Sequence, residues 1–150
     1  MIKAKELRVG NFVQFGNDTE WHEVEAISLS QNIDKPDLIH LTGNGITNRD
    51  EQIFGIPITE EWLLKFDFEK DKEKGRHGYR YSIGHQDFRY VMSKDWREET
   101  THHFGIWYTD SPRKSDLTEV FGFTDQVQFV HQLQNLFFAL TREELIISEK

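Results

Sequence analysis

The nearest approach to a metal site is the pair His102-His103, with Asp95, Glu98 and Glu99 just upstream. A metal centre needs such donors to converge within about 2.0–2.2 Å of one ion. Adjacent residues of a strand point to opposite faces, and neither a His-Glu-x-x-His nor a His-x-His spacing occurs. A solvated polar loop is therefore the ordinary reading, and a metal-dependent hydrolase is the remotest of the functions considered. The other histidines, His22, His40, His77, His85 and His131, are scattered. No serine lies in a Gly-x-Ser-x-Gly elbow. Gly43-Asn-Gly45 is a turn, with neither a Walker lysine nor a following helix to make it a phosphate cradle. The residues point to a protein that is not an enzyme, with no cofactor and no resident metal.

Two polar stretches around a strand at Phe104–Tyr108 suit binding better. One carries Trp96 and Arg97, the other Arg113 and Lys114, with Trp107 and Tyr108 between them. Aromatic faces and guanidinium groups hold a planar anion by stacking and charge-assisted hydrogen bonds, so a nucleotide-like ligand is the chemistry these residues would serve. The ordinary alternative makes Trp107 a core residue and the basic groups common surface.

A third constellation is defined by what it lacks. From Gln126 through Leu140 there is no Asp, Glu, Lys or Arg, although 29% of the chain is charged. The spacing predicts a helix over Thr124–Leu140, with Thr124 as N-cap and Asp125 against the positive end of the dipole. Phe129, Val130, Leu133, Leu136, Phe137 and Leu140 fill one arc, widened by Val127 and Phe138. Gln134 falls inside that arc, so its amide needs a buried partner. Gln128, His131, Gln132 and Asn135 form the opposite face. Exposed helix faces carry Lys and Glu, whereas interface cores are depleted of charge, so these four residues are expected to be covered, by the N-terminal half or by a second copy of the chain.

Leu7–Phe15 is a strand broken by a Gly10-Asn11 kink, with Leu7, Val9, Val13 and Phe15 apolar. Trp21–Ile27 and Leu38–Leu41 are further strands, and Ile46 to Phe54 supplies one more. Thr59 caps a short helix whose Trp62, Leu63 and Phe66 share a face, plugging this first sheet. Residues 69–77 are a charged, exposed and mobile loop. Tyr79–Ile83, Phe88–Met92, Phe104–Tyr108 and Leu117–Phe121 are four more strands, and the tail docks through Leu145 and Ile147. The fold class is α+β, a single domain of 150 residues. It comprises a small SH3-like antiparallel sheet with a short helix in a lobe over 1–68, then a β-meander packed by the long C-terminal helix over 78–150.

Three blocks of this sequence, Lys5–Asn11, Ile56–Phe66 and Val130–Leu145, together resemble a group of small uncharacterised proteins encoded by phages and prophages of Bacteroidota bacteria. The blocks frame almost the whole chain, and the third is the most specific. The resemblance brings no activity and no functional residue; it implies the host-cell cytoplasm and an accessory viral role. Composition agrees with that setting. A net charge of −8 disfavours general nucleic-acid binding, and the absence of cysteine excludes disulfides, thiol nucleophiles and Cys-type zinc sites. The N-terminus lacks a signal-peptide apolar run, and no segment is apolar enough to span a bilayer. The functional classes that remain are a protein partner or homo-oligomer as the bound species, or sequestration of a nucleotide-like host signal as an anti-defence device.

Overall fold

A computed structural model describes residues 1–16, 20–31, 36–43, 47–49, 52–70, 79–82, 88–94, 100–108, 118–119, 123–124 and 127–148. The chain is mixed α+β and divides into two units, Met1–Ile58 with Phe129–Leu145, and Thr59–Gln128 with Ile146–Lys150. The division therefore falls at 58/59 and 128/129, not within the charged stretch 69–77.

The first unit opens with a short 3-10 helix, Ala4–Glu6, followed by β1 (Phe12–Phe15), β2 (Trp21–Ser28), β3 (Leu38–Leu41), β4 (Thr47–Arg49) and β5 (Ile53–Phe54). All neighbours are antiparallel, and the order across the sheet is β4-β3-β2-β1-β5. Its core collects Ile2, Ala4, Leu7, Val13, Val24, Ile39, Leu41 and Ile53, with Phe15 and Ile27 partly buried against them. Alternation alone would send Ala26 to that core after Val24. Instead Val24 pairs with Leu41 and Ala26 with His40, so Glu25 is the extra residue of a β-bulge. The bulge resets the phase, which is why Ile27 packs inward and Ala26 is exposed.

The Gly10-Asn11 kink is sharper than a bent strand. Gly10 has φ +88, which glycine adopts without steric cost, and β1 begins only at Phe12. Its N–H donates to Val24 O at 2.8 Å, and Val24 N–H donates to Asn11 O at 2.9 Å. Val9, one of the apolar positions of that segment, precedes the kink and is exposed.

The C-terminal helix, α2 (Val130–Thr141), also belongs to this first unit, so its expected placement on the second sheet is corrected. Its N-cap is Phe129, five residues after the expected cap Thr124. Thr124 is not its cap but lies in a strand opposite His103. Phe129 is held extended by a bridge to Pro57, and Val130 N–H donates to Ile56 O at 2.9 Å, so sheet-type pairing wins over helix there. The Phe129 ring sits on Gly55, where an added Cβ would lie 2.5 Å from Phe129 Cγ; any larger residue would displace the ring. Phe129 has no side-chain acceptor, but Gln132 Oε1 accepts from its N–H at 3.2 Å, completing one half of a capping box. Val130, Leu133 and Phe137 are buried. The helix ends at Arg142, whose φ of 65 turns the chain while its N–H donates to Phe138 O.

In the second unit, α1 (Glu60–Lys65) is capped by Thr59, whose Oγ1 accepts from Trp62 N–H at 3.4 Å. It closes with a Schellman arrangement: Asp67 has φ 64, Asp67 N–H donates to Leu64 O, and Phe68 N–H donates to Leu63 O. Trp62, Leu63, Phe66 and Phe68 are buried. β6 (Glu69–Lys70), β7 (Tyr79–Ser82), β8 (Phe88–Lys94) and β9 (Thr100–Tyr108) run as an antiparallel meander. Glu69 and Lys70 are thus exposed but paired with Ser82 and Tyr81, and do not belong to a loop; the rest of that stretch, 71–78, lies outside the described residues. β10 (Thr118–Glu119) and β11 (Phe123–Thr124) both pair with β9. Thr118 faces Tyr108 and Phe123 faces Phe104, an advance of five residues against four, so the register slips by one between them.

Trp62 is 6% exposed on the buried face of a helix only six residues long, which cannot persist without its packing. Trp62→Ala is expected to lower the unfolding free energy by about 3–5 kcal/mol in urea denaturation. A loss below about 1 kcal/mol would show that the side chain carries no core role.

Candidate functional site

The sequence-predicted residues separate into three groups. Trp96, Arg97, Arg113 and Lys114 lie outside the described residues, as do Asp95, Glu98 and Glu99. Trp107 and Tyr108 end β9, in register with Glu119 and Thr118. His102 and His103 lie in the same strand, opposite Met92 and Val91. Among the described residues no group of three or more His, Cys, Asp or Glu could hold a metal ion.

The amide face of α2 is described in full. Gln128, expected on this face, precedes α2, is exposed and belongs to the second unit; Gln132 is half-buried and spends its carbonyl oxygen on the Phe129 N–H. Asn135 is half-buried: its Oδ1 accepts from Asn11 Nδ2 at 3.0 Å and its Nδ2 donates to Glu6 O at 2.8 Å. Asn11 is itself buried and uses its Oδ1 to accept from Arg8 N–H at 2.8 Å. Next to this pair, the buried Gln134 accepts from Phe12 N–H at 2.9 Å through Oε1. Its Nε2 donates to Gly10 O at 2.8 Å and more distantly to Leu145 O at 3.4 Å. Gln134 was legible as a residue in need of a partner; its nearer-bonded partners Phe12 and Gly10, more than a hundred positions away, were not. Arg8 completes the seam, with Nη2 on Glu144 Oε1 at 2.7 Å and its guanidinium 3.6 Å above the Phe138 ring. Asn135 and Gln134 therefore join α2 to residues 6–12 of the same chain.

His131 is buried, stacked on Phe129 with centroids 5.9 Å apart and an interplanar angle of 14°. Its Nδ1 is buried and has no hydrogen-bond partner among the described residues. Burial pushes its pKa down from 6.5 to about 4, against the opposite pull of the Glu6 carboxylate. A neutral, dry imidazole against a phenyl ring is a packing group at neutral pH.

What the amide face does not offer, the first sheet does. Gln14 is opposite Trp21 on one side and opposite Phe54 on the other. Directly opposed residues share a face, so the three form a row across β2-β1-β5. Neighbouring strands lie about 4.8 Å apart, which sets Trp21 and Phe54 about 10 Å apart with the Gln14 amide between them. Trp21 is 43% exposed and Phe54 is 37% exposed, whereas the other face of these strands carries the fully buried Val13 and Ile53. Phe12, two residues before Gln14 and so on the same face, is buried and meets Trp21 edge-on at 5.1 Å and 80°. Glu23 lies opposite Phe12 on that face, and the bulge residue Glu25 is exposed beyond it. Sequence reading missed this row because Trp21 and Phe54 count as core by residue type. The available signal was phase: Val13 and Phe15 facing inward require Gln14 to face outward.

The chain matches no family model, and neither the curated proteins nor the solved structures give a match.

His131 sets a pH dependence with a definite sign. The unfolded chain protonates this residue near 6.5, the folded chain only near 4, so between these values the unfolded state binds more protons. The stabilisation is complete above pH 6.5 and is lost as pH falls toward 4. Between pH 7 and pH 5 the wild type should lose about 2 kcal/mol from this group, and His131→Leu should lack that increment. Urea midpoints at the two pH values check it; equal pH dependence in both proteins would contradict the assignment.

Proposed function

We propose that this chain is a non-catalytic accessory protein that acts by binding another protein, and that its working surface is the open half of the first sheet at Trp21, Gln14 and Phe54. The observation that carries this reading is the exposure of two large aromatic side chains in register on one sheet face. Such side chains supply most of the energy of protein interfaces when a partner desolvates them. A monomer gains nothing by leaving them in water. The first unit is read as a small SH3-like sheet. Its order β4-β3-β2-β1-β5, in which a four-strand meander returns β5 to β1, together with the bulge in β2, supports that reading.

The amide face of α2 recedes as an assembly surface in this reading, because His131 is buried and Asn135 is engaged by Asn11 and Glu6 of its own chain. The resemblance to phage and prophage proteins supplies the setting: a host-cell cytoplasm and a host protein, or a second copy of the chain, as the bound species. No helix among the described residues is long and apolar enough to cross a membrane, which accords with that setting without fixing it.

A photo-crosslinking residue placed at Gln14 tests the proposal in cells of the bacterial host. The expected outcome is a discrete covalent adduct above the 17.8 kDa chain. The same residue placed at Leu29, exposed but away from the row, should give none. Equal labelling from both positions would defeat the proposal. A bound small molecule of nucleotide size, seen by native mass spectrometry of freshly purified protein, would favour ligand sequestration instead.

A further inference from the structure

We infer that the partner of the Trp21–Gln14–Phe54 face is a cationic protein segment, one that lays an Arg or Lys side chain between the two aromatic groups. The inference rests on the reading of that face as the working surface and adds the chemistry of its occupant.

Three features select this occupant. The first is spacing. Trp21 and Phe54 lie one strand to either side of Gln14, about 10 Å apart at the backbone, so one cationic side chain lying over Gln14 reaches both aromatic groups. The Gln14 carbonyl can accept a hydrogen bond from it. The second is the tilt of the indole, which Phe12 fixes by its edge-on contact at 5.1 Å. A tryptophan held in one orientation is the strongest of the aromatic side chains for a cation and loses little rotamer entropy on binding. The third is charge. Glu23 shares the face, and Glu25 is exposed at the bulge next along the strand. The whole chain carries −8.

Charge also ranks the competing occupants. A two-fold dimer through this face would set the patch against itself, bringing each copy's Glu23 and Glu25 toward the other's. Like charges placed across an interface cost free energy and slow encounter. Nucleic acid and anionic lipid are repelled for the same reason. A cationic segment is attracted at long range and completed at short range by the aromatic pair.

Fluorescence anisotropy with a fluorescein-labelled octapeptide of alternating Arg and Leu tests the inference, with the alternating Glu and Leu octapeptide as control. The cationic peptide should bind and the acidic one should not. Trp21→Ala should weaken binding about tenfold, and Gln14→Arg, which places a positive charge between the aromatic groups, by at least as much. Gln14 is only half-buried, so this second variant reports even where Trp21→Ala loses stability. The double change Glu23→Gln and Glu25→Gln should weaken binding several-fold and flatten its salt dependence. Glu69→Gln, which removes one charge from β6 of the second unit, should leave binding unchanged. Binding that tolerates Trp21→Ala and Gln14→Arg, or that falls equally with Glu69→Gln, is general charge attraction and overturns the inference. Absence of peptide binding together with a Trp21-dependent dimer in sedimentation velocity also overturns it, while leaving the face as a binding surface. Absence of both peptide binding and a Trp21-dependent assembly overturns the inference, and the crosslink at Gln14 then decides whether the face binds a partner of other chemistry.

Discussion

One carboxamide holds the first unit together. Gln134 enters from α2 among Val130, Leu133 and Phe137 and spends its oxygen on the Phe12 N–H and its nitrogen on the Gly10 carbonyl. Those two backbone groups flank the kink that ends the N-terminal segment and starts β1. A buried N–H or carbonyl left unpaired costs about 1–3 kcal/mol, so the helix and the kink each supply what the other requires. Asn135 and Asn11 repeat the arrangement one residue along, and Arg8 with Glu144 and Phe138 closes it at the surface. The carboxamides at positions 134 and 135 follow from this. Carboxamides can donate and accept at once, as a kinked backbone needs, whereas a lysine or glutamate offers only one role.

The same constraint explains why α2 starts where it does. Thr124 and Asp125 form a good capping signal in isolation. Phe123–Thr124 instead pairs with β9, and residues 129–130 pair with 56–57. Local propensity of a few tenths of a kcal/mol per residue yields to such pairing. By contrast, the short helix α1 follows its sequence closely, because Thr59, two glutamates in the first turn and the Trp62, Leu63, Phe66 spacing all favour the same segment. Where several local signals agree, the element was readable; where a distant strand competes, it was not.

The candidate site was the least legible part. Residues such as Trp96 and Arg113 attract notice because aromatic and basic groups stand together in the sequence. Trp21, Gln14 and Phe54 are separated along the chain and meet only through the register of three strands. Trp21 and Phe54 also belong to residue types that usually fill cores, and only the inward facing of Val13 and Ile53 turns the opposite row to the surface. On the helix, sequence alone left undecided what covers the amides. The bonds of Asn135 and Gln134 run to residues 6–12 of the same unit, so their cover comes from their own chain.

The first unit depends most on the amide seam being a permanent part of its fold, and native-state hydrogen exchange at the Phe12 amide measures that directly. This N–H is held by a side chain from α2 rather than by regular sheet pairing with β2. If the seam opens only when the protein unfolds, Phe12 must exchange with the same protection as Val13 and Val24 in the core of the first unit. Exchange at Phe12 that is faster by orders of magnitude, while Val13 and Val24 stay protected, would show α2 detaching from an intact sheet and would contradict the account.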